Sequence, residues 1–291
     1  MTYFVLYVLL TETVEKTIYK TNNFMKKIVF ILSLMALLVT GCQNHNVIKV
    51  VMENEEDTEV LINDYLDEIC DGEVVDCKIR GRRVTLIYDC PIKEIWRGAF
   101  ECKSLKNIEI PSSVTTIGDY AFVDCESLKN IKIPSSVTKI GESAFSGCVS
   151  LKNIEIPSSV TTIEDDTFRA CKSLKNIEIP SSVTTIGDYA FSGCKSLKNI
   201  KIPSSVTKIG ESAFSGCVSL KNIEIPSSVT KIGDCAFRGC ESLKNIKIPS
   251  SVTKIGDYAF VDCESLKKVR ISRNTDLGYG VFPEDVEIIE Y

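Results

Sequence analysis

Residues 127–148 read S-L-K-N-I-K-I-P-S-S-V-T-K-I-G-E-S-A-F-S-G-C, and the same frame returns every 23 residues. Pro111, Pro134, Pro157, Pro180, Pro203, Pro226 and Pro249 keep that step, as do Cys102, Cys125, Cys148, Cys171, Cys194, Cys217, Cys240 and Cys263. A unit this short cannot bury its own apolar residues. It must bury them against the next copy, so the chain has to be a solenoid, with atypical units covering the two ends.

The apolar positions within a unit say how it coils. Ile108 and Ile110 are two apart and share one face of a strand, while Lys106, Asn107 and Glu109 stand outside it. Pro111 cannot donate to a ladder and ends the strand. Val114 and Ile117 turn inward on a second short extended stretch, Gly118 is expected to permit the next bend, and Ala121, Phe122 and Cys125 return to the core before Leu128. Stacking such coils about 4.8 Å apart gives one continuous core and a parallel sheet down one side.

The motif L-x-x-I-x-I-P-x-S-V-x-x-I-G-x-x-A-F-x-x-C resembles the BspA-type leucine-rich repeat, also called the treponemal class, and the likeness covers about residues 92–266. The resemblance implies an α/β leucine-rich-repeat solenoid that is strongly β-rich, with a parallel β-sheet on one face, short strands and turns, and little helix elsewhere. Members of this class are commonly surface adhesins, so it also implies a cell-surface protein contacting host matrix proteins, glycans or other cells. The frame fades at its ends: Trp96 stands where the glycine belongs, Lys268 replaces the asparagine and Ser272 the proline. Inside it, Glu164 replaces the glycine and Thr167 the alanine.

The cysteine column has two readings, a disulfide staple between neighbouring coils or a buried file of free thiols. Side chains at equivalent positions of stacked coils point in parallel, which is poor disulfide geometry, and free cysteine is among the most buried residue types, so the file of thiols is expected. Free thiols on an exported protein would suit a reducing or anoxic niche. Cys235 lies in the column of Tyr120, Tyr189 and Tyr258 instead, and Cys70, Cys77 and Cys90 lie off the period with an open redox state.

Three outward columns make up the candidate binding face. Lys106, Lys129, Lys152, Lys175, Lys198, Lys221, Lys244 and Lys267 form a basic stripe. Asn107, Asn130, Asn153, Asn176, Asn199, Asn222 and Asn245 form a polar ladder beside it. Glu109, Lys132, Glu155, Glu178, Lys201, Glu224, Lys247 and Arg270 form a mixed column in which five of seven neighbouring pairs are opposite in charge. Such a stripe is either a solvated face that blocks aggregation or a contact face for an acidic partner or a glycan. Residues 127–161 are identical to residues 196–230, an offset of 69, which points to duplication of a three-unit block. A surface this repetitive suits avidity for a repetitive target.

The flanks read as delivery and capping. Residues 1–24 are a doubtful extension upstream of Met25, either a mis-assigned start or a real segment. Residues 25–41 have the layout of a signal peptide, with Lys26 and Lys27 before a 12-residue apolar run that is too short to span a bilayer. Val39-Thr40-Gly41-Cys42 resembles a bacterial lipobox, which implies lipidation of Cys42 and anchorage in the cell envelope, at the outer membrane or cell surface; the alternative is a plain signal peptide with a chance cysteine. Residues 42–57 read as an acidic tether, residues 58–90 as an N-terminal cap of a helix over 58–69 plus a hairpin turning at Gly81-Arg82, residues 91–266 as the solenoid, and residues 267–291 as a C-terminal lid. In that lid Phe282 is expected to fill the last core slot.

The chain has 291 residues, 25% of them charged, and a formal net charge of −5, so the basic surplus of a nucleic-acid reader is missing. The single histidine, His45, lies outside the repeats, and no catalytic, zinc or phosphate-loop pattern is present. The expectation is a monomeric, non-enzymatic protein with no cofactor or metal, whose partner is a protein or glycan. The alternative is a structural spacer of the envelope, or an interaction scaffold without a host ligand.

Overall fold

A computed structural model of the chain describes residues 46–53, 69 and 74–291. Three strands precede the repeats: β1 (Asn46–Met52), β2 (Val74–Arg80) and β3 (Arg83–Tyr88). The repeats then contribute two interleaved series. One comprises β4 (Glu94–Ile95), β6 (Thr116–Ile117), β8 (Lys139–Ile140), β10 (Thr162–Ile163), β12 (Thr185–Ile186), β14 (Lys208–Ile209), β16 (Lys231–Ile232), β18 (Lys254–Ile255) and β20 (Asp276–Leu277). The other comprises β5 (Leu105–Glu109), β7 (Asn130–Ile131), β9 (Asn153–Glu155), β11 (Asn176–Glu178), β13 (Asn199–Lys201), β15 (Asn222–Glu224), β17 (Asn245–Lys247), β19 (Lys268–Ile271) and β21 (Glu287–Glu290).

These strands make a β-solenoid of parallel ladders, and the described residues contain no helix. The register is the repeat itself: Asn176 faces Asn153 and Asn199, and Ile177 faces Ile154 and Ile200. Sequence reading foresaw one sheet. The second extended stretch, around Ile117, also stacks into a parallel ladder, so the coil has two sheet walls joined by turns.

The core is built from columns of like residues. In one coil Leu128, Val137, Ala144, Phe145 and Cys148 are wholly buried, and Ile131, Ile133 and Ile140 nearly so. The phenylalanines stack in one file from Phe100 to Phe260, with centroids 5.1–5.7 Å apart and planes within 12° of parallel. Such stacking adds about 0.5–1.5 kcal/mol per pair beyond the area buried.

The repeat glycine has a different task from the one its sequence context suggests. A Cβ on Gly141 would sit 2.4 Å from Asp119 Oδ1 and 2.5 Å from Asp119 N. The residue is therefore glycine because two coils touch there through backbone. The bend falls two residues later, where Tyr120, Ser143, Asp166, Tyr189, Ser212, Cys235 and Tyr258 all take positive φ, between 50° and 58°.

Glu164 is the one interior departure at that glycine position, and the ladder breaks there. β8 and β10 do not pair, while every other neighbouring pair in that series does. The Phe145–Phe168 spacing of 5.7 Å is the widest in the file. A side chain forced into a backbone contact wedges the two coils apart.

Both ends differ from their expected form. Asn46–Met52 is not tether: it is a strand pairing antiparallel with β3 on one side and β5 on the other. Ile48, Val50 and Met52 alternate inward and are fully buried, which welds the cap onto the first repeat strand. The hairpin of β2 and β3 turns at Gly81 as expected. The expected helix over 58–69 lies outside the described residues except for Ile69, which is buried and accepts a hydrogen bond from Trp96 N. His45, Cys70 and the leader, with Cys42, lie outside them as well. At the far end the lid forms one more coil: β20 extends the second ladder, β21 pairs in parallel with β19, and Phe282 stacks on Phe260 at 5.4 Å.

Candidate functional site

The outward face of β5, β7 and their successors carries the three columns singled out from sequence. Lys129, Lys152, Lys175, Lys198, Lys221, Lys244 and Lys267 are all exposed, as are Asn107, Asn130, Asn153, Asn176, Asn199, Asn222 and Asn245. Backbone bonds run from lysine to lysine, for example Lys152 N to Lys129 O at 3.1 Å and Lys221 N to Lys198 O at 3.1 Å. The ladder thus holds the stripe in line.

Lys106 stands apart from its column. It is half-buried, and its Nζ meets Glu53 Oε2 at 3.0 Å. The hydrogen bond and charge of Lys106 hold the Glu53 carboxyl below the usual range. Beside it, Lys49 Nζ lies 2.7 Å from Glu109 Oε2. The cap therefore supplies both charges that answer the first coil, and the open stripe begins at Lys129. An open depression of about 680 Å³ follows, lined by Asn107, Glu109, Ile110, Asn130, Lys132 and Pro134 among others.

In the mixed column the register sets Glu178 opposite Lys201 and Lys201 opposite Glu224, but also Glu155 opposite Glu178 and Lys247 opposite Arg270. Opposed charges of this kind are worth roughly 0.2–1 kcal/mol per pair, and like pairs cost a similar amount.

On the bend side a row of carboxylates joins each coil to the next. Asp119, Asp165, Asp188, Asp234 and Asp257 each accept the backbone N–H of the equivalent residue in the next coil, at 2.7–3.0 Å. Glu142 and Glu211 instead accept Tyr120 Oη at 2.9 Å and Tyr189 Oη at 2.6 Å. These carboxylates hold both phenols above their usual pKa. Arg97 and Arg169 lie over the two rings, 4.8 and 5.7 Å from their centroids. Tyr120 and Tyr189 each reach a Glu one coil on, where serine follows the Glu, whereas Tyr258 meets the ring of Tyr279 edge-on at 5.5 Å. Each aspartate is thus committed to its neighbour's backbone rather than to a shared centre, and the described residues hold no cluster of three or more metal-binding side chains.

The cysteine column is a buried file of free thiols from Cys125 to Cys263. Each donates from Sγ to the carbonyl of the phenylalanine in the preceding coil, at 2.8–3.3 Å, as Cys171 does to Phe145. Burial pushes these thiols up, Cys194 and Cys263 to about 12. Cys102, at the cap, is half-buried and lies 3.4 Å from Ser104 Oγ. Cys235 is half-buried in the bend column. A second file, unforeseen from sequence, runs through the second serine after five of the prolines: Ser136, Ser159, Ser182, Ser205 and Ser228 donate to the valine carbonyl one coil back, at 2.5–2.6 Å.

Two parallel ladders, a one-residue-per-coil core and an exposed strand face define a leucine-rich-repeat solenoid. More narrowly, the model of the BspA-type leucine-rich repeat region matches six copies over residues 93–220 and 162–288, and the chain belongs to that family. Among solved structures, a leucine-rich repeat protein from Bacteroides ovatus is 26% identical, with a TM-score of 0.55 over 77% of this chain and 71% of its own. The leucine-rich repeat protein of T. pallidum is 29% identical, with a TM-score of 0.47 over 66% of this chain and 83% of its own. No curated protein matches the chain.

Proposed function

We propose that this chain is a lipid-anchored binding protein of the cell surface, adhesin-like, whose strand face holds a protein or glycan ligand. The observation that carries the reading is the face itself. Coil after coil presents an exposed lysine and asparagine in register, and among the described residues no element covers that row beyond the first coil. A buried file of like residues explains the inward half of each repeat; the outward half is free to serve a partner. Residues that recur along a line suit a long or repeated ligand, whereas catalysis needs unlike groups brought to one point. Membership in the BspA-type family supports an interaction role. The lipobox-like Val39-Thr40-Gly41-Cys42 supports anchorage through Cys42.

The test is binding of the full chain, in detergent, to arrays of matrix proteins and glycans, with protease shaving of intact cells to locate it. Retention by at least one array ligand, with cleavage at the cell surface, is the expected result. No retention by any ligand would leave a structural spacer and overturn the reading. Anchorage is tested by labelling with a radioactive fatty acid: Cys42→Ser should abolish incorporation, and unchanged incorporation would refute lipidation there.

A further inference from the structure

We propose that the seven lysines from Lys129 to Lys267 bind a linear acidic polysaccharide laid along the solenoid axis, an inference that rests on the ligand-binding reading above. All seven are exposed. None is among the ion pairs found between described residues, whose lysine members are Lys49, Lys103, Lys106, Lys208 and Lys268. The face as a whole is basic. Seven stripe lysines with Lys132, Lys201, Lys247 and Arg270, set against Glu155, Glu178 and Glu224, leave a surplus of eight positive charges, on a chain whose net charge is −5.

That surplus is held in order. Lysine-to-lysine backbone bonds at 3.1–3.3 Å join Lys129 through Lys221 and then Lys244 to Lys267, and at about 4.8 Å per coil the seven lysines span about 29 Å. Like charges in neighbouring register repel, and an anionic chain laid along them would relieve the repulsion at every coil. Where the stripe begins, the cap already shows the match: Glu53 places a carboxylate 3.0 Å from Lys106.

The neighbouring column selects a saccharide. Every asparagine beside the stripe offers an amide with two donors and one acceptor, the complement of hydroxyl groups along a sugar chain. Single-stranded nucleic acid is held by aromatic rings interleaved with basic groups. The three stripe columns contain only lysine, asparagine, glutamate and arginine, and Tyr120, Tyr189 and Tyr258 lie at the bends instead. Lysines also meet sulfate or carboxylate as point charges on flexible stems, without the fixed fork of arginine, which tolerates a ligand whose charges fall at uneven spacing.

The experiment measures binding of the full chain to a heparin dodecasaccharide, an uncharged dextran of equal length and a DNA duplex of equal charge. One variant carries Lys152→Gln, Lys175→Gln, Lys198→Gln and Lys221→Gln. Its control carries Lys139→Gln, Lys208→Gln, Lys231→Gln and Lys254→Gln, the same charge change on the second ladder. Expected are heparin binding that weakens by roughly tenfold or more between about 50 and about 200 mM salt, at least about a tenfold loss in the stripe variant, and a change within about twofold in the control. Equal losses in both variants, equal binding of dextran, or tighter binding of the duplex than of heparin would overturn the proposal. If heparin is not bound while both variants keep the array ligand, the polysaccharide inference fails and the ligand-binding reading stands.

Discussion

Two substitutions in the glycine column should move stability in opposite directions. At every other joint from β4 to β20 two backbone bonds recur, such as Thr184 N to Thr161 O at 2.9 Å and Gly187 N to Ile163 O at 2.8 Å. The joint between β8 and β10 has neither, because Glu164 carries a Cβ where its neighbours carry none. Glu164→Gly removes the wedge. Two recovered backbone bonds are worth about 0.5–1.5 kcal/mol each, and the added glycine costs about 0.5–1 kcal/mol in chain entropy, leaving a gain centred on about 1 kcal/mol within a range of about 0–2.5 kcal/mol. Gly210→Ala does the reverse. Its Cβ would lie 2.4 Å from Asp188 Oδ1 and 2.6 Å from the Gly187 carbonyl, so the coils must part, at a cost of about 1–3 kcal/mol.

The Glu164 carboxyl adds a dependence on pH. Burial raises its pKa, with Lys139 opposing and nearby acids reinforcing the shift. A carboxyl whose folded pKa lies above its unfolded value favours the fold when protonated, and that contribution is lost as pH rises through the folded value. The advantage of Glu164→Gly should therefore be larger at neutral pH than below the carboxylate range. Urea denaturation at both pH values gives the stabilities, and hydrogen exchange at the amides of residues 161 and 164 reports the joint itself. A Glu164→Gly protein no more stable than wild type at neutral pH, or a neutral Gly210→Ala, would refute the wedge.

Three further outcomes follow from the same geometry. In the native protein Cys77, Cys90, Cys102 and Cys235 should react with maleimide before the buried file from Cys125 to Cys263, and denaturation should release all of these thiols; denatured protein without free thiols would disprove the file. Phe191→Ala, in the middle of the ring stack, should cost about 3–5 kcal/mol by urea denaturation, and a cost below about 1 kcal/mol would deny the stack its role. Val50→Asp places a charge in the wholly buried middle of β1 and should detach the cap, uncovering the edge of β5 and promoting association by light scattering; a scattering mass equal to that of wild type would mean the cap is not what seals that edge.

The repeat alone determined the solenoid, its inward columns and its outward face, because a 23-residue unit has only its neighbour to pack against. Period-two spacing fixed which isoleucines point inward, and parallel stacking fixed the thiol file. The sequence could not show contacts made one coil away through backbone. That is why the glycine looked like a hinge when it is a point of touch, and why Glu164 looked like a substitution when it is a break in the ladder. Nor could it place Asn46–Met52, whose strand pattern sits beside an acidic run and becomes legible only against its partners β3 and β5. Local pattern sets which way a side chain faces; which backbone lies opposite is decided only when the coils close on one another.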